Sequence, residues 1–185
     1  MKIRPVSEVR EGWYEIRGTN ITTHLVDLAI MRFDFDVFLP TKHVNLQRQL
    51  CWTLEQKQSL MESFIYKRDI PQFIVIARHD KVTKSDYYEV LDGKQRLSAI
   101  IEFLDDGFTI PLYDLDGTLY NLLCSELPSD YARVFKFSHI NMARIYEEMN
   151  EELHYTDDQK IEWFNRINFS GTPQDAEHIK LLKSL

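Results

Sequence analysis

The sequence predicts an α+β fold in one domain, and three patterns support this. Two capping boxes, Thr53–Gln56 and Thr156–Gln159, each precede apolar residues at helical spacing. Apolar runs separated by polar turns predict β-hairpins over residues 72–91 and 110–122. A chain of 185 residues suits one domain with a core and is short for two. We therefore treat residues 1–185 as one domain.

The first half alternates strand and helix patterns. Apolar and acidic residues alternate in RFDFDVFLP (Arg32–Pro40), which predicts a strand ended by Pro40. The first capping box opens a predicted helix, Leu54–Tyr66, and Ile70–Pro71 stops it. A buried strand (Gln72–Ala77), a charged loop and a returning strand (Tyr87–Leu91) then make the first hairpin. The inward face of the helix should hold Leu54, Gln58, Met61 and Ile65, and it should be widened by Leu60 and Phe64.

The second half begins with another amphipathic helix, whose apolar positions are Leu97, Ile100, Ile101 and Leu104. Gly107 is expected at its C′ position. Asp116–Gly117 predicts the turn of the second hairpin. HINMARIY (His139–Tyr146) is compatible with either a strand or a helix. The second capping box opens a helix to about Asn168, Ser170–Gly171 breaks it, and Thr172 with Pro173 at N1 starts a last helix.

Composition excludes several classes of protein. No apolar run approaches the roughly 18 residues of a membrane helix, and the N-terminus has no apolar segment typical of a secretory signal. The two cysteines, Cys51 and Cys124, have no CxxC spacing, so neither a zinc site nor a disulfide scaffold is indicated. We therefore expect a cytoplasmic protein with reduced cysteines and no membrane partner.

Charge is unevenly distributed along the chain. Residues 1–100 carry 15 Lys and Arg against 13 Asp and Glu, whereas residues 101–185 carry 7 against 16. An anionic ligand should therefore favour the first half. An alternative is that the acidic second half only has solvated helix faces.

The segment YYEVLDGKQRLSAI (Tyr87–Ile100) predicts a strand, a polar loop and a helix, with Asp92–Arg96 at the junction. Helix N-termini carry unsatisfied N–H groups and partial positive charge, so they bind anions. Gly93 lets backbone approach a ligand, Lys94 adds a mobile charge, and Arg96 offers a fork that suits phosphate. Asp92 would repel bare phosphate, which suggests a metal ligand, a general base that positions water, or a contact to a ribose or a nucleotide base. The alternative is structural: Asp92 caps the helix, Gly93 makes the turn, and Lys94 and Arg96 are solvated.

A second polar segment, NLQRQLCW (Asn45–Trp52), lies just before the first capping box. It holds Gln47 and Arg48 between apolar residues. Arg48 is either a ligand-binding cation or the partner of a surface ion pair.

Together these segments resemble the DUF262 domain, the N-terminal module of GmrSD-type modification-dependent restriction enzymes. The resemblance rests on Gln47–Arg48, Trp52, Ile70–Pro71 and the D-G-K-Q-R-L-S run (Asp92–Ser98), in this order. WFNRINFSGTPQDAEHI (Trp163–Ile179) is similar to that family's closing F-x-R-x-N-x-x-G segment. The resemblance implies a ParB/sulfiredoxin-like fold: a small mixed sheet with packed helices, a motif-bearing core at about residues 44–108, and a helical C-terminal part at about 156–185.

What the resemblance implies is nucleotide chemistry, with an NTP as ligand and Mg²⁺ as its metal. The implied nucleotide-binding residues are Gln47, Arg48, Gly93, Lys94, Arg96, Ser98 and Asn168. Asp92, Gln95 and Arg96 are the implied catalytic residues, and Asp92 is the implied metal ligand. Lys94 stands where the family usually has glutamine, which favours phosphate binding and weakens the case for hydrolysis.

Three functions remain open at this point. The first is nucleotide binding, with or without hydrolysis, in DNA restriction, defence or phage DNA processing. The second is a metal-dependent DNA nuclease or nickase, with DNA as partner. The third is a non-catalytic regulator or inhibitor that acts on a nuclease or another protein partner, because no HNH-type nuclease site is recognised in the sequence and residues 101–185 are acidic.

Overall fold

The computed structural model of the chain describes residues 18–80, 82–146 and 155–169. Four α-helices and nine strands occur in these ranges. The strands are β1 (Gly18–His24), β2 (Phe33–Asp34), β3 (Phe38–Leu39), β4 (Val44–Asn45), β5 (Phe73–Asp80), β6 (Ser85–Asp92), β7 (Ile110–Tyr113), β8 (Leu119–Leu122) and β9 (His139–Tyr146). The helices are α1 (Leu54–Ile65), α2 (Lys94–Leu104), α3 (Ser129–Phe137) and α4 (Asp157–Phe169). Short 3-10 helices lie at Leu25–Ile30 and Cys124–Glu126.

Five strands form a mixed sheet in the order β1-β9-β5-β6-β2. β5 and β6 form an antiparallel hairpin, as predicted, and β9 pairs parallel to β5 in the middle of the sheet. The short strand β2 pairs parallel to β6 at the sheet edge. β3–β4 and β7–β8 form two separate two-stranded hairpins. The α+β class is therefore confirmed, and His139–Tyr146 is a strand.

Each face of the sheet supports its own hydrophobic cluster. Alternate residues of a strand point to opposite faces, and in β6 Val90 joins one cluster while Leu91 joins the other. The larger cluster takes residues from α1, α2 and α3, and the smaller one takes Ile161, Trp163 and Phe164 from α4. The sheet is thus covered by helices on both faces, and the end of β6 lies between them.

Both predicted capping boxes are present. Thr53 Oγ1 accepts from the Gln56 N–H, and Gln56 Oε1 accepts from the Thr53 N–H at 2.9 Å. Thr156 and Gln159 repeat this exchange at the start of α4. Met61 on α1 is buried as expected, but Leu54 is 52% exposed. The prediction for Leu54 was wrong because the first turn of α1 extends past the core that Leu60, Met61 and Phe64 contact.

Three further predictions need correction. Arg32–Pro40 is two short strands rather than one, since Asp34 Oδ1 accepts from the N–H groups of Asp36 and Val37 and turns the chain between them. Strands β5 and β6 extend into the predicted charged loop, to Asp80 and from Ser85. At the end of α2, Asp106 with φ of 59° takes the C′ position, and Gly107 follows it and donates to Glu102 O at 2.7 Å.

The Asp116–Gly117 turn is confirmed, with Gly117 at φ of 80° between β7 and β8. The predicted break at Ser170–Gly171 and the helix after Thr172 lie outside the described residues. None of the described helices has the length and apolar character needed to cross a membrane.

Candidate functional site

Strand β6 ends at Asp92 and helix α2 begins at Lys94, so Gly93 alone makes the connection. Gly93 is the N-cap of α2 and has a φ of 95°, which side-chain-bearing residues rarely adopt. A Cβ at this position would lie 2.4 Å from Phe73 Cδ1. Glycine is therefore required here both by the turn and by the close approach of Phe73.

The N-terminus of α2 has no side-chain cap. Its first backbone hydrogen bond runs from the Leu97 N–H to Gly93 O at 2.8 Å. The preceding amides, those of Lys94, Gln95 and Arg96, find no acceptor among the residues that the structure describes. The structural alternative, in which Asp92 caps the helix, is therefore wrong, and these three donors lie at the positive end of the helix dipole.

Asp92 instead pairs with Arg96, one turn further along the chain. Arg96 Nη2 donates to Asp92 Oδ2 at 2.9 Å, and Arg96 Nη1 donates to Pro71 O. The guanidinium also lies 4.6 Å from the centroid of the Phe73 ring. Burial lowers the pKa of Arg96, and the charge of Asp92 opposes this effect. Arg96 is thus a fixed cation that links the end of β6 to the start of β5.

Lys94 is not the mobile surface charge that the sequence suggests. Its side chain is 5% exposed, and its ammonium donates to Asp36 Oδ1 at 2.8 Å. Asp36 follows the edge strand β2 and is 54% exposed. The pair therefore ties the first residue of α2 to the loop after β2.

Two glutamines hold the segment of residues 47–52 against the end of β6 and the start of α2. Gln47 Nε2 donates to Val90 O at 2.7 Å and to Leu91 O at 2.8 Å. Gln95 Oε1 accepts from the N–H groups of Cys51 and Trp52, and its Nε2 donates to Gln49 O. Both side chains are buried. Each amide therefore serves intramolecular contacts, and a catalytic role for Gln95 remains a prediction.

Arg48 lies between these two anchored positions. Its side chain is partly buried, and within the described part of the chain it makes no hydrogen bond or ion pair. Ser98 lies one turn after Lys94 on α2 and is also partly buried. Asn168 lies near the end of α4, and its side chain is outside the described structure.

The structure thus brings Gln47 and Asp92–Arg96 together around one helix N-terminus, and Arg48 follows Gln47 in the segment that packs there. Sequence patterns gave no indication of three neighbours: Asp36, Pro71 as an acceptor for Arg96, and Phe73. Alternation in RFDFD places Asp34 and Asp36 on the same side of the chain, but no pattern predicts an ion pair across 58 residues. In the described ranges, no group of three or more His, Cys, Asp and Glu residues is arranged to hold a metal ion.

Comparison with protein families gives one match. The family model of the GmrSD restriction endonuclease, N-terminal domain, matches residues 39–185, which is most of the chain. No curated protein and no solved structure shows significant similarity to this chain. On the family match, the chain belongs to the GmrSD restriction endonuclease N-terminal domain family.

Proposed function

We propose that this domain binds a nucleoside triphosphate at the N-terminus of α2, as the nucleotide-binding module of a DNA restriction or defence system. The family match supports a function in DNA restriction or defence. The observation that carries the nucleotide proposal is the uncapped N-terminus of α2, with Arg48 in the segment of residues 47–52 that packs against it.

The start of α2 has the features of a phosphate site. The three backbone N–H groups of its first turn have no described acceptor, and the helix dipole adds partial positive charge. A phosphate group here would satisfy donors that otherwise depend on water.

Arg48 supplies the cation that this site needs. Its neighbours Gln47 and Gln49 are fixed by hydrogen bonds to β6 and to Gln95, which limits where the guanidinium can move. A partly buried guanidinium without a carboxylate partner is costly unless an anion pairs with it. Because its backbone is already ordered, the conformational entropy lost on binding would be mainly that of the side chain.

Asp92 and Arg96 complete the proposed site. Arg96 uses two of its five N–H groups on Asp92 and Pro71, which leaves three as donors. Asp92 uses Oδ2 for Arg96, so Oδ1 remains as an acceptor for one ligand position of Mg²⁺. Mg²⁺ is usually held by one or two carboxylates together with substrate phosphates and waters. We therefore expect the metal to bind together with the nucleotide.

Isothermal titration of the protein with each of the four NTPs and Mg²⁺ tests this proposal. Arg48→Ala should weaken binding by about 1.5–3 kcal/mol, or about 10- to 100-fold in Kd, because a hydrogen bond to a charged group is lost. Arg133→Ala removes an equal charge from an exposed position on α3 and should leave Kd unchanged. Absence of binding by every NTP, or equal losses in both variants, would contradict the proposal.

A further inference from the structure

His24 ends strand β1 and His139 begins strand β9, and the two residues are direct partners in this antiparallel pairing. Direct partners in an antiparallel pair project from the same face of the sheet. The centroids of the two imidazole rings are 6.3 Å apart, and the ring planes meet at 87°. Both side chains are exposed. Two imidazoles therefore lie side by side at an exposed corner of the sheet.

The backbone is fixed on both sides of this histidine pair. Thr23 pairs with Ile140 in the same ladder, and Ile140 is buried in the larger hydrophobic cluster. On the other side, the Leu25 N–H donates to Ser138 O at 3.0 Å, and Leu25 is fully buried. The strands thus hold the two histidine backbones at a set separation, so a ligand needs only side-chain rotations to reach both rings.

The ring nitrogens of the pair are available to a ligand. Neither imidazole makes a hydrogen bond or an ion pair with any residue that the structure describes. By contrast, His79 Nδ1 lies 2.8 Å from Asp86 Oδ1. One row further along β1 and β9, the Thr22 hydroxyl donates to Asn141 Oδ1 at 3.1 Å. A neutral imidazole has one nitrogen lone pair, so the pair offers two nitrogen ligands.

We infer that His24 and His139 together bind one divalent transition-metal ion, of the class of Cu²⁺, Ni²⁺ and Zn²⁺. Neutral imidazole is a preferred ligand of these ions, whereas Mg²⁺ prefers oxygen. Imidazole nitrogen binds Zn²⁺ at about 2.0–2.1 Å, so two rings on one ion have centroids about 5–6.5 Å apart. The separation of 6.3 Å lies within this range. Water completes the coordination, and the site does not depend on the proposed nucleotide site.

The bound ion fastens the edge strand β1 to the sheet. Within the described ranges, β1 pairs with β9 and with no other strand. An ion held by one residue from each strand links the two at the end of this pairing. Because a ligand of the folded state stabilises that state, the metal should also raise the unfolding temperature.

Isothermal titration of the untagged chain with Cu²⁺, Ni²⁺, Zn²⁺ and Mg²⁺, in the absence of nucleotide, tests this inference. One transition-metal ion per chain should bind, with Cu²⁺ tightest, as the general order of affinity for divalent metals predicts, and Mg²⁺ should not bind. His24→Phe and His139→Phe each keep a ring in the cross-strand pair and remove the nitrogen ligand. Each should therefore raise the Kd for Ni²⁺ about tenfold or more.

His43→Asn is the matched control. His43 is an exposed histidine between β3 and β4 with a φ of 53°, an angle that asparagine tolerates. This variant should bind Ni²⁺ with the wild-type Kd. Saturating Ni²⁺ should raise the unfolding temperature of the wild type and the control by about 5 °C, and that of the two phenylalanine variants by much less. Affinity that survives in either phenylalanine variant, an equal loss in the control, or no binding by the wild type would overturn the inference.

Discussion

Lys94 Nζ lies 2.8 Å from Asp36 Oδ1, although the Lys94 side chain is 5% exposed and that of Asp36 is 54% exposed. The first residue of α2 thus places a charge in the protein interior, and a carboxylate from the edge of the sheet compensates it. A buried ammonium without such a partner is strongly unfavourable. The pair therefore fixes the loop after β2 in relation to the candidate phosphate site.

Removal of Asp36 should cost more stability than removal of Lys94. Asp36→Ala leaves a buried ammonium unpaired and should lower the free energy of unfolding by about 1–3 kcal/mol. Lys94→Met removes the charge and keeps most of the side-chain volume, so the loss should be smaller. Urea denaturation of both single variants and the double variant measures this difference. Equal losses would show that the Lys94 charge is solvated rather than buried.

Local patterns predicted much of the fold. Both capping boxes, both hairpins and the helix at Leu97–Leu104 are confirmed, because each depends on residues that are close to one another along the chain. The pairing of β9 between β1 and β5 was not predicted, since it joins residues from distant parts of the chain. His139–Tyr146 could be assigned only when its neighbours on both sides were known.

In the site, too, the features set by neighbouring residues were predicted and the contacts between distant residues were not. Gly93 and the helix start were predicted from D-G-K-Q-R, since strand, turn and helix follow each other directly. The partners of the polar residues were not predicted: Lys94 pairs with Asp36, and Gln95 bonds to Gln49, Cys51 and Trp52. A sequence gives the donors and acceptors of a side chain, but the fold decides which of them are already occupied.

The hydrogen bonds of Gln95 should keep the backbone of residues 49–52 ordered. Gln95→Ala removes three hydrogen bonds, so the amides of Cys51 and Trp52 should exchange with solvent faster, and stability should fall by about 1–3 kcal/mol. Amide hydrogen exchange followed by mass spectrometry measures this. Gln58→Ala is the control, since it removes one hydrogen bond, from α1 to Thr109 O, that does not involve residues 49–52. Unchanged exchange in residues 49–52 would show that the Gln95 hydrogen bonds do not hold this segment.

Gly93→Ala should be more harmful than Gly117→Ala. Both glycines have positive φ angles, 95° and 80°, so alanine is strained at either position, by about 1–2 kcal/mol. At Gly93 the new Cβ would also lie 2.4 Å from Phe73 Cδ1, whereas at Gly117 nothing lies within 4 Å. Thermal unfolding of the two variants separates the cost of the backbone angle from the cost of the clash. If both variants lose the same stability, Phe73 does not restrict the site.

Among the charged residues of the sheet, Glu89 should be the one whose substitution lowers the free energy of unfolding most. Its carboxylate, 8% exposed, lies 3.0 Å from Lys160 Nζ of α4 and 3.1 Å from Arg78 Nη2 of β5. Glu89→Gln leaves the buried Lys160 ammonium without its carboxylate, so the free energy of unfolding should fall by about 3–5 kcal/mol. Glu102→Gln, in the more exposed pair with Lys57, should cost about 1 kcal/mol or less. Denaturant unfolding compares the two variants. Similar small losses would mean that water reaches Glu89 and that packing, rather than this ion pair, holds α4 on the sheet.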